Sequence, residues 1–137
     1  MFSKTHTKYI QSLHHKKFRD QYGVFIAEGP KVVLDLFESG KFICKEVLAL
    51  DKWLSEYAVL VEKSPGITVT GLQDFELEKI SALSTPNNVM AVFEKKQEGG
   101  FSDIKGQLTL ALDSIQDPGN VGTIIRIADW FGINTII

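Results

Sequence analysis

The segment Leu112-Asp113-Ser114-Ile115-Gln116-Asp117-Pro118-Gly119-Asn120-Val121-Gly122-Thr123-Ile124-Ile125-Arg126 holds the residues of this chain best suited to chemistry. It reads as the end of an apolar strand, a polar turn and the start of a helix. Free backbone N–H groups at Asn120–Thr123 would face the crevice above the strand, where phosphates and ribose oxygens bind well. Open parallel sheets place their ligands at that carboxyl edge. Arg126 is the only arginine after Arg19, and a guanidinium suits bidentate phosphate binding better than an ammonium does. It stands six residues past Asn120, so the two need not point at one ligand. The same residues also make a plain connection: Asp-Pro-Gly-Asn is a good turn and Asn a good cap, with no function implied. Neither Gly-x-Gly-x-x-Gly nor a glycine-rich loop ending in Gly-Lys is present, so those nucleotide-binding motifs are excluded.

The surrounding elements must hold that loop. Leu108–Leu112 is nearly continuous in apolar residues, as expected of a parallel strand covered on both faces. Asn120 is expected to cap a helix with Val121, Ile124, Ile125, Ala128 and Phe131 inward, Gly132 to end it, and Thr135-Ile136-Ile137 to begin another strand. Before them, Glu94–Gly100 is charged, glycine-tipped and almost free of apolar residues, which predicts a boundary. Residues 1–99 then form one domain and 103–137 the start of another.

Within the first domain, strands and helices alternate, the pattern of a compact α/β sandwich. Helices are predicted over Tyr9–Arg19, from Pro30 to Gly40 with Val32, Val33, Leu36 and Phe37 buried, from an Asp51 cap to Val61, and over Asp74–Leu83. Strands are predicted at Val24–Ala27, Glu46–Leu50, Ile67–Thr70 and Val89–Phe93.

The net charge of −2 conceals an asymmetry. Residues 1–19 carry Lys4, Lys8, Lys16, Lys17 and Arg19 with no acid, whereas the remainder holds ten basic and seventeen acidic residues. A basic segment on an acidic body points to a local polyanion contact; a solubilising tail is the other reading. No apolar run approaches the ~18 residues of a membrane span, and Met1–Ile10 lacks the apolar stretch of a signal peptide. The single cysteine, Cys44, cannot form an internal disulfide and reads as a small core residue. A reduced, cytoplasmic protein is expected.

Other conspicuous residues favour ordinary roles. His14 and His15 are adjacent, so on a helix they diverge by about 100° and do not chelate one metal; no metal site is expected. Glu28 has no carboxylate partner nearby in sequence and reads as a structural hydrogen-bond acceptor or helix N-terminal charge. Trp53 and Tyr57 share helical spacing and read as core. Trp130 falls off the inner stripe, and Lys95-Lys96 reads as linker.

The pattern Asp113-x-x-x-Asp117-Pro118-x-Asn120-x-Gly122-x-x-x-Arg126-x-Ala128-x-x-Phe131-Gly132 resembles the first signature motif of the SpoU (TrmH) branch of knotted RNA methyltransferases, matching at each position. The opening resembles that family's L30e-like RNA-binding domain. There Ser12-Leu13-x-x-Lys16-Lys17-x-Arg19 precedes Gly23-x-Phe25-x-x-Glu28-Gly29, and Leu83-Ser84 precedes Val89-x-Ala91-Val92. The resemblance covers essentially the whole chain, more weakly before residue 100. It implies an α/β fold: a small L30e-like sandwich followed by the first β-α-β portion of a knotted methyltransferase domain. It implies an rRNA or tRNA ribose 2′-O-methyltransferase, with Arg126 activating the ribose hydroxyl and Asn120 shaping the site. The implied methyl donor is S-adenosylmethionine, held by two later motifs in a C-terminal knot and so expected beyond Ile137. The chain is thus expected to be a fragment of a longer enzyme, inactive alone, whose catalytic domain pairs as a homodimer without a membrane.

Two other functions compete. An L30e-like RNA-binding module without activity explains residues 1–99 and leaves the Asp117–Arg126 loop unexplained. A small α/β ligand-binding protein explains neither the basic end nor the loop. Changing Lys16, Lys17 and Arg19 to Ala together should weaken RNA binding and flatten its salt dependence by roughly 0.7–0.9 per lost phosphate contact. A salt titration of RNA affinity measures this, and an unchanged slope would move the RNA site elsewhere.

Overall fold

Ser3 starts the first helix: its hydroxyl accepts the His6 N–H at 3.1 Å and caps α1 (Lys4–Ser12). The computed structural model describes residues 2–64, 66–96 and 106–137. The single helix expected over Tyr9–Arg19 is two, α1 and α2 (Lys16–Tyr22), with a break at Leu13–His15. Three side chains fix the break. Leu13 is fully buried. One guanidinium nitrogen of Arg19 donates to the carbonyls of Leu13 and His14 at 3.0 and 2.7 Å. The His14 ring meets the Ile80 carbonyl at 2.6 Å. These partners satisfy carbonyls that a continuous helix would have bonded itself.

Next come β1 (Val24–Glu28), α3 (Pro30–Glu38), β2 (Cys44–Leu50), α4 (Asp51–Glu56), α5 (Ala58–Glu62), β3 (Thr68–Leu72), α6 (Asp74–Ile80) and β4 (Val89–Glu94). Several boundaries differ from expectation. Asp51 is the first residue of α4, and Leu50, which offers no side-chain cap, precedes it; Tyr57 divides the expected long helix in two. α6 stops at Ile80, leaving Leu83 exposed, because the Ser81 backbone turns extended. In α3 only Val33 is fully buried, and Val32 faces solvent.

The four strands form one mixed sheet in the order β1-β4-β2-β3. β4 runs antiparallel to both β1 and β2, and β2 runs parallel to β3. Successive strand residues point to opposite faces, so the central strands feed two cores. On one face Val47, Ala49, Val89, Ala91 and Phe93 pack with Val33, Trp53 and Val61 of α3, α4 and α5. On the other, Leu48, Met90 and Val92 pack with Ile10 and Leu13 of the α1 end and Leu77 and Ile80 of α6. Phe93 stacks on Phe25 at 5.6 Å and meets Phe37 edge-on. Trp53 and Tyr57 lie at 4.9 Å and Trp53 is buried, as their spacing predicts. Cys44 is a buried core residue, and burial pushes its thiol up to about 12, so it is unreactive at neutral pH.

The chain divides into two compact units, Met1–Lys96 and Gln97–Ile137. The charged stretch expected as a linker starts inside the first unit: Glu94 ends β4, the Lys95 N–H donates to the Gly23 carbonyl at 2.8 Å, and the Lys95 ammonium pairs with Asp20. Residues 97–100 of that stretch, and 101–105 after it, lie outside the described residues. The second unit is a β-α-β piece. β5 (Thr109–Leu110) and β6 (Thr135–Ile136) pair in parallel, with α7 (Pro118–Trp130) between them. β5 is shorter than the expected Leu108–Leu112, and Leu108 stays exposed. Of the stripe expected on α7, Ala128 alone is fully buried, and Ile125 and Phe131 are exposed.

One buried polar residue interrupts the α1/α6 core. Glu46 on β2 is 6% exposed and meets His6 Nε2 at 2.8 Å, and the Thr70 hydroxyl donates to it at 3.4 Å. Burial raises its carboxyl above the ordinary range, while His6 and Thr70 pull it partly back. A carboxyl raised in the folded state contributes stability below its unfolded value, and that contribution is lost as pH rises through the folded value. Glu46→Gln keeps the shape and has no proton to lose. Its melting temperature relative to the unaltered chain should therefore climb between acid and mildly alkaline pH. Thermal melts across that range test the point; a flat or falling difference would show that His6 fully offsets the burial.

Candidate functional site

The loop before α7 is built from its own side chains. Asp117 is the N-cap: its carboxylate accepts the Asn120 N–H at 2.8 Å, and its carbonyl accepts the Val121 N–H at 3.1 Å. Pro118 follows at the first helical position, where its missing N–H is harmless. The expectation that Asn120 caps the helix is thus corrected by two residues of helix plus Asp117 itself. Aspartate wins because its oxygen reaches the amide three residues on, the geometry of a capping side chain. The amides of Asn120 and Val121 are consequently used at the helix start and are not free for a ligand. Thr123 Oγ1 is likewise turned inward, donating to the Gly119 carbonyl at 2.9 Å.

Asn120 and Arg126 are both exposed. Six residues of helix rotate them about 120° apart around the axis, so they do not share one face. Arg126 instead lies with Thr123, Ile127, Trp130 and Phe131 along an open groove of about 300 Å³. Among the described residues no carboxylate lies within ion-pair distance of Arg126. Its guanidinium is thus a fixed positive charge beside aromatic surface, suited to a phosphate and the sugar attached to it.

The five basic residues of the opening separate into three groups. Lys4 and Lys8 are exposed on α1 and line a groove with Lys79 of α6. Lys16 and Lys17 are exposed on α2. Arg19 turns one guanidinium nitrogen to the Leu13 and His14 carbonyls, a structural tie beside the RNA contact expected of it. An Arg19→Ala change therefore removes a structural tie along with a charge, and the pair Lys16→Ala and Lys17→Ala isolates the charge effect. His15 is exposed, whereas His14 is partly buried against Ile80. No three His, Cys, Asp or Glu side chains group as a metal site among the described residues.

Glu28 is the structural acceptor its isolation suggested. It takes the Ser81 hydroxyl at 2.5 Å and the Ala82 N–H at 3.2 Å, while the Gly29 N–H donates to the Val89 carbonyl at 2.9 Å. Glu28-Gly29 and the segment Ser81–Leu83, far apart in sequence, are thereby neighbours, and a shallow cavity runs between Glu28–Val32 and Leu83, Thr85 and Asn87. Gly29 has φ +93, which a glycine supplies without strain. Periodicity missed Phe75 and Lys79 as surface features; their spacing of four on a short helix is the signal that could have shown them side by side.

A family model described as the MRM3-like substrate-binding domain matches residues 4–91, over half of the chain. The chain is 30% identical over 127 residues to the 23S rRNA (guanosine(2553)-2'-O)-methyltransferase RlmP of Bacillus subtilis, covering 93% of this chain and 48% of that protein. It is 32% identical over 139 residues to the mitochondrial rRNA methyltransferase 3 of Xenopus laevis, covering 96% of this chain and 32% of the relative. The chain thus spans half or less of the length of these curated relatives. Among solved structures, an RNA methyltransferase of the TrmH family from Porphyromonas gingivalis superimposes with a TM-score of 0.82 at 36% identity, over 99% of this chain and 51% of that one. An AdoMet-bound rRNA methyltransferase from Sinorhizobium meliloti gives 0.76 at 29% identity, over 99% and 52%. With its signature loop at the joint of a β-α-β piece and its first unit matched by that substrate-binding model, the chain belongs to the SpoU/TrmH family of RNA methyltransferases.

Proposed function

We propose that this chain supplies the RNA-binding domain and first catalytic segment of an rRNA or tRNA ribose 2′-O-methyltransferase that uses S-adenosylmethionine. The observation that carries the reading is the Asp117–Arg126 signature set between two parallel strands, where it leaves Arg126 exposed. The first unit is assigned to RNA substrate and the second to the start of the catalytic domain.

In this reading the exposed lysines of α1 and α2 hold the RNA backbone, and Arg126 works at the reacting nucleotide. Arginine keeps its proton, so it is not a base. It binds the phosphate beside the target ribose and stabilises the negative charge that develops on the 2′-oxygen as that oxygen takes the methyl group and its proton passes to water. Asn120, in the first turn of α7, shapes the loop.

The methyl donor has a different requirement. A site for a molecule of that size buries most of its surface and pairs its polar ends. The described part of residues 106–137 offers the open groove beside Arg126, lined by Thr123, Ile127, Trp130 and Phe131 with no carboxylate. These residues do not make a donor site, so we assign the donor to segments outside residues 1–137.

The catalytic domain is read as pairing in a homodimer. Its support is the apolar surface that α7 leaves open, where Trp130 is 85% and Phe131 73% exposed. No helix among the described residues is long and apolar enough to cross a membrane. We read the compartment as the cytoplasm, a reading supported by the similarity to the Bacillus subtilis enzyme.

In a chain of the relatives' full length carrying this segment, Arg126→Lys should sharply reduce methyl transfer while leaving donor binding nearly intact, since the charge remains and the planar fork is lost. Single-turnover assays beside donor titrations separate the two; near-normal turnover would make Arg126 a structural helix residue. For the 137-residue chain itself, calorimetric titration with S-adenosylmethionine should give no saturable binding. One-to-one binding at micromolar donor would contradict the donor's placement and require the domains to be redrawn.

A further inference from the structure

The groove between α1 and α6 combines features that the backbone-binding role of the lysines does not account for. On α1, Lys4, Lys8 and Gln11 follow at intervals of four and three, so they share a face. On α6, Phe75 and Lys79 do the same. The two helices are joined across the groove: the Gln11 side-chain amide donates to the Lys79 carbonyl at 2.8 Å, and the Phe2 N–H donates to the Glu76 carboxylate at 3.3 Å. Between them lies a cavity of about 420 Å³. Its apolar surface comes from Phe2 and Phe75, and Phe75 is 54% exposed. The Lys79 ammonium stands 4.9 Å from the Phe75 ring centroid. Three lysines thus face one carboxylate, Glu76, whose oxygens already accept the Phe2 and Gln73 N–H groups.

Aromatic faces bordered by lysines are what an unpaired base and its phosphates require. Bases stack on any such ring, and the flanking ammonium groups take the backbone. A duplex hides its base faces and gains from the lysines alone. An acidic peptide would use the charge and leave the rings without a purpose. We propose that this groove is a stacking subsite for a single-stranded nucleotide of the RNA substrate, with Phe75 as the platform and Lys4, Lys8 and Lys79 on the adjoining phosphates. It rests on the assignment of the first unit to RNA, and it makes that unit a reader of unpaired segments as well as a charged surface.

The test uses the 137-residue chain and two fluorescein-labelled probes, a mixed-sequence single-stranded RNA of roughly 12 nucleotides and the duplex of the same sequence, a length within reach of one small domain. Phe75→Ala should weaken single-strand binding on the order of 5- to 100-fold, the contribution of one stacked base, and leave the salt slope and duplex binding unchanged. Phe75→Trp should restore it. Lys79→Ala should lower the single-strand salt slope by about 0.7. Phe75 is a surface residue, so circular dichroism should confirm an unchanged fold. Phe75→Ala binding within about twofold of the unaltered chain, or an equal loss on both probes, overturns the proposal. So does a polyglutamate peptide that binds with the same dependence on Phe75. Single-strand binding that survives Phe75→Ala but is lost in the Lys16→Ala and Lys17→Ala pair removes the groove alone. Failure of the unaltered chain to bind either RNA removes the RNA assignment together with it.

Discussion

The double-sided burial of β2 and β4 is the constraint on which the first unit depends. Each strand sends alternate residues to opposite cores, so neither face is open to water. Val47 and Ala49 serve one layer of helices and Leu48 the other; Met90 and Val92 alternate with Val89, Ala91 and Phe93 in the same way. A one-residue slip of either strand would exchange these sets, placing Phe93 where the smaller Val92 now fits and Glu46 against Phe93 and Val33. The antiparallel register Leu48 to Met90 and Val47 to Ala91 therefore fixes where every helix can dock. Glu46 is the single charged residue admitted, and the His6 ring and Thr70 hydroxyl exist at that place to receive it.

Around this sheet, the proposed RNA surface is made by ties between elements that are distant in sequence. α1 and α6 lie side by side because both bury a stripe against Leu48 and Met90. Gln11 and His14 then bond the last carbonyls of α6, at Lys79 and Ile80. Glu28 reaches just beyond, to Ser81 and Ala82. These bonds satisfy the last carbonyls of α6, and they hold exposed lysines and Phe75 in a defined relation. Basic charge by itself would attract any polyanion; charge held beside aromatic rings can distinguish unpaired bases from a duplex.

The second unit obeys a different balance. Two short paired strands and one amphipathic helix cannot bury the helix's apolar side, and Phe131, Ile125 and Trp130 remain open. What these residues do achieve locally is complete: Asp117 caps, Pro118 begins the helix, and Gly132 in the left-handed region ends it, with the Ile133 N–H closing on the Ala128 carbonyl at 2.8 Å. Local rules thus place Arg126 on a regular helix. The chemistry proposed for it requires surroundings that this unit does not contain.

Much of this was legible from residue order alone. Alternation and apolar runs identified all four strands of the first unit and the β-α-β order of the second, because burial on both faces leaves a direct imprint on composition. The signature from Asp113 to Gly132 identified the family, since its Asp, Pro, Asn, Gly and Arg occur at spacings that a generic turn does not need. The core placement of Cys44, Trp53 and Tyr57 and the structural role of Glu28 followed from their neighbours or lack of them. What the tertiary structure decided was each outcome that depends on a partner remote in sequence or on a choice between nearby caps. Periodicity ran one helix through Leu13–His15, since nothing local says that Arg19 will bond back to two carbonyls or that His14 will meet Ile80. It could not show the structural tie of Arg19 for the same reason, and it gave the cap to Asn120 although the Asp117 carboxylate lies in better reach. The groove of Phe2, Lys4, Lys8, Phe75 and Lys79 is formed by segments about seventy residues apart, brought together by the hydrophobic stripes that α1 and α6 bury on one face of the sheet.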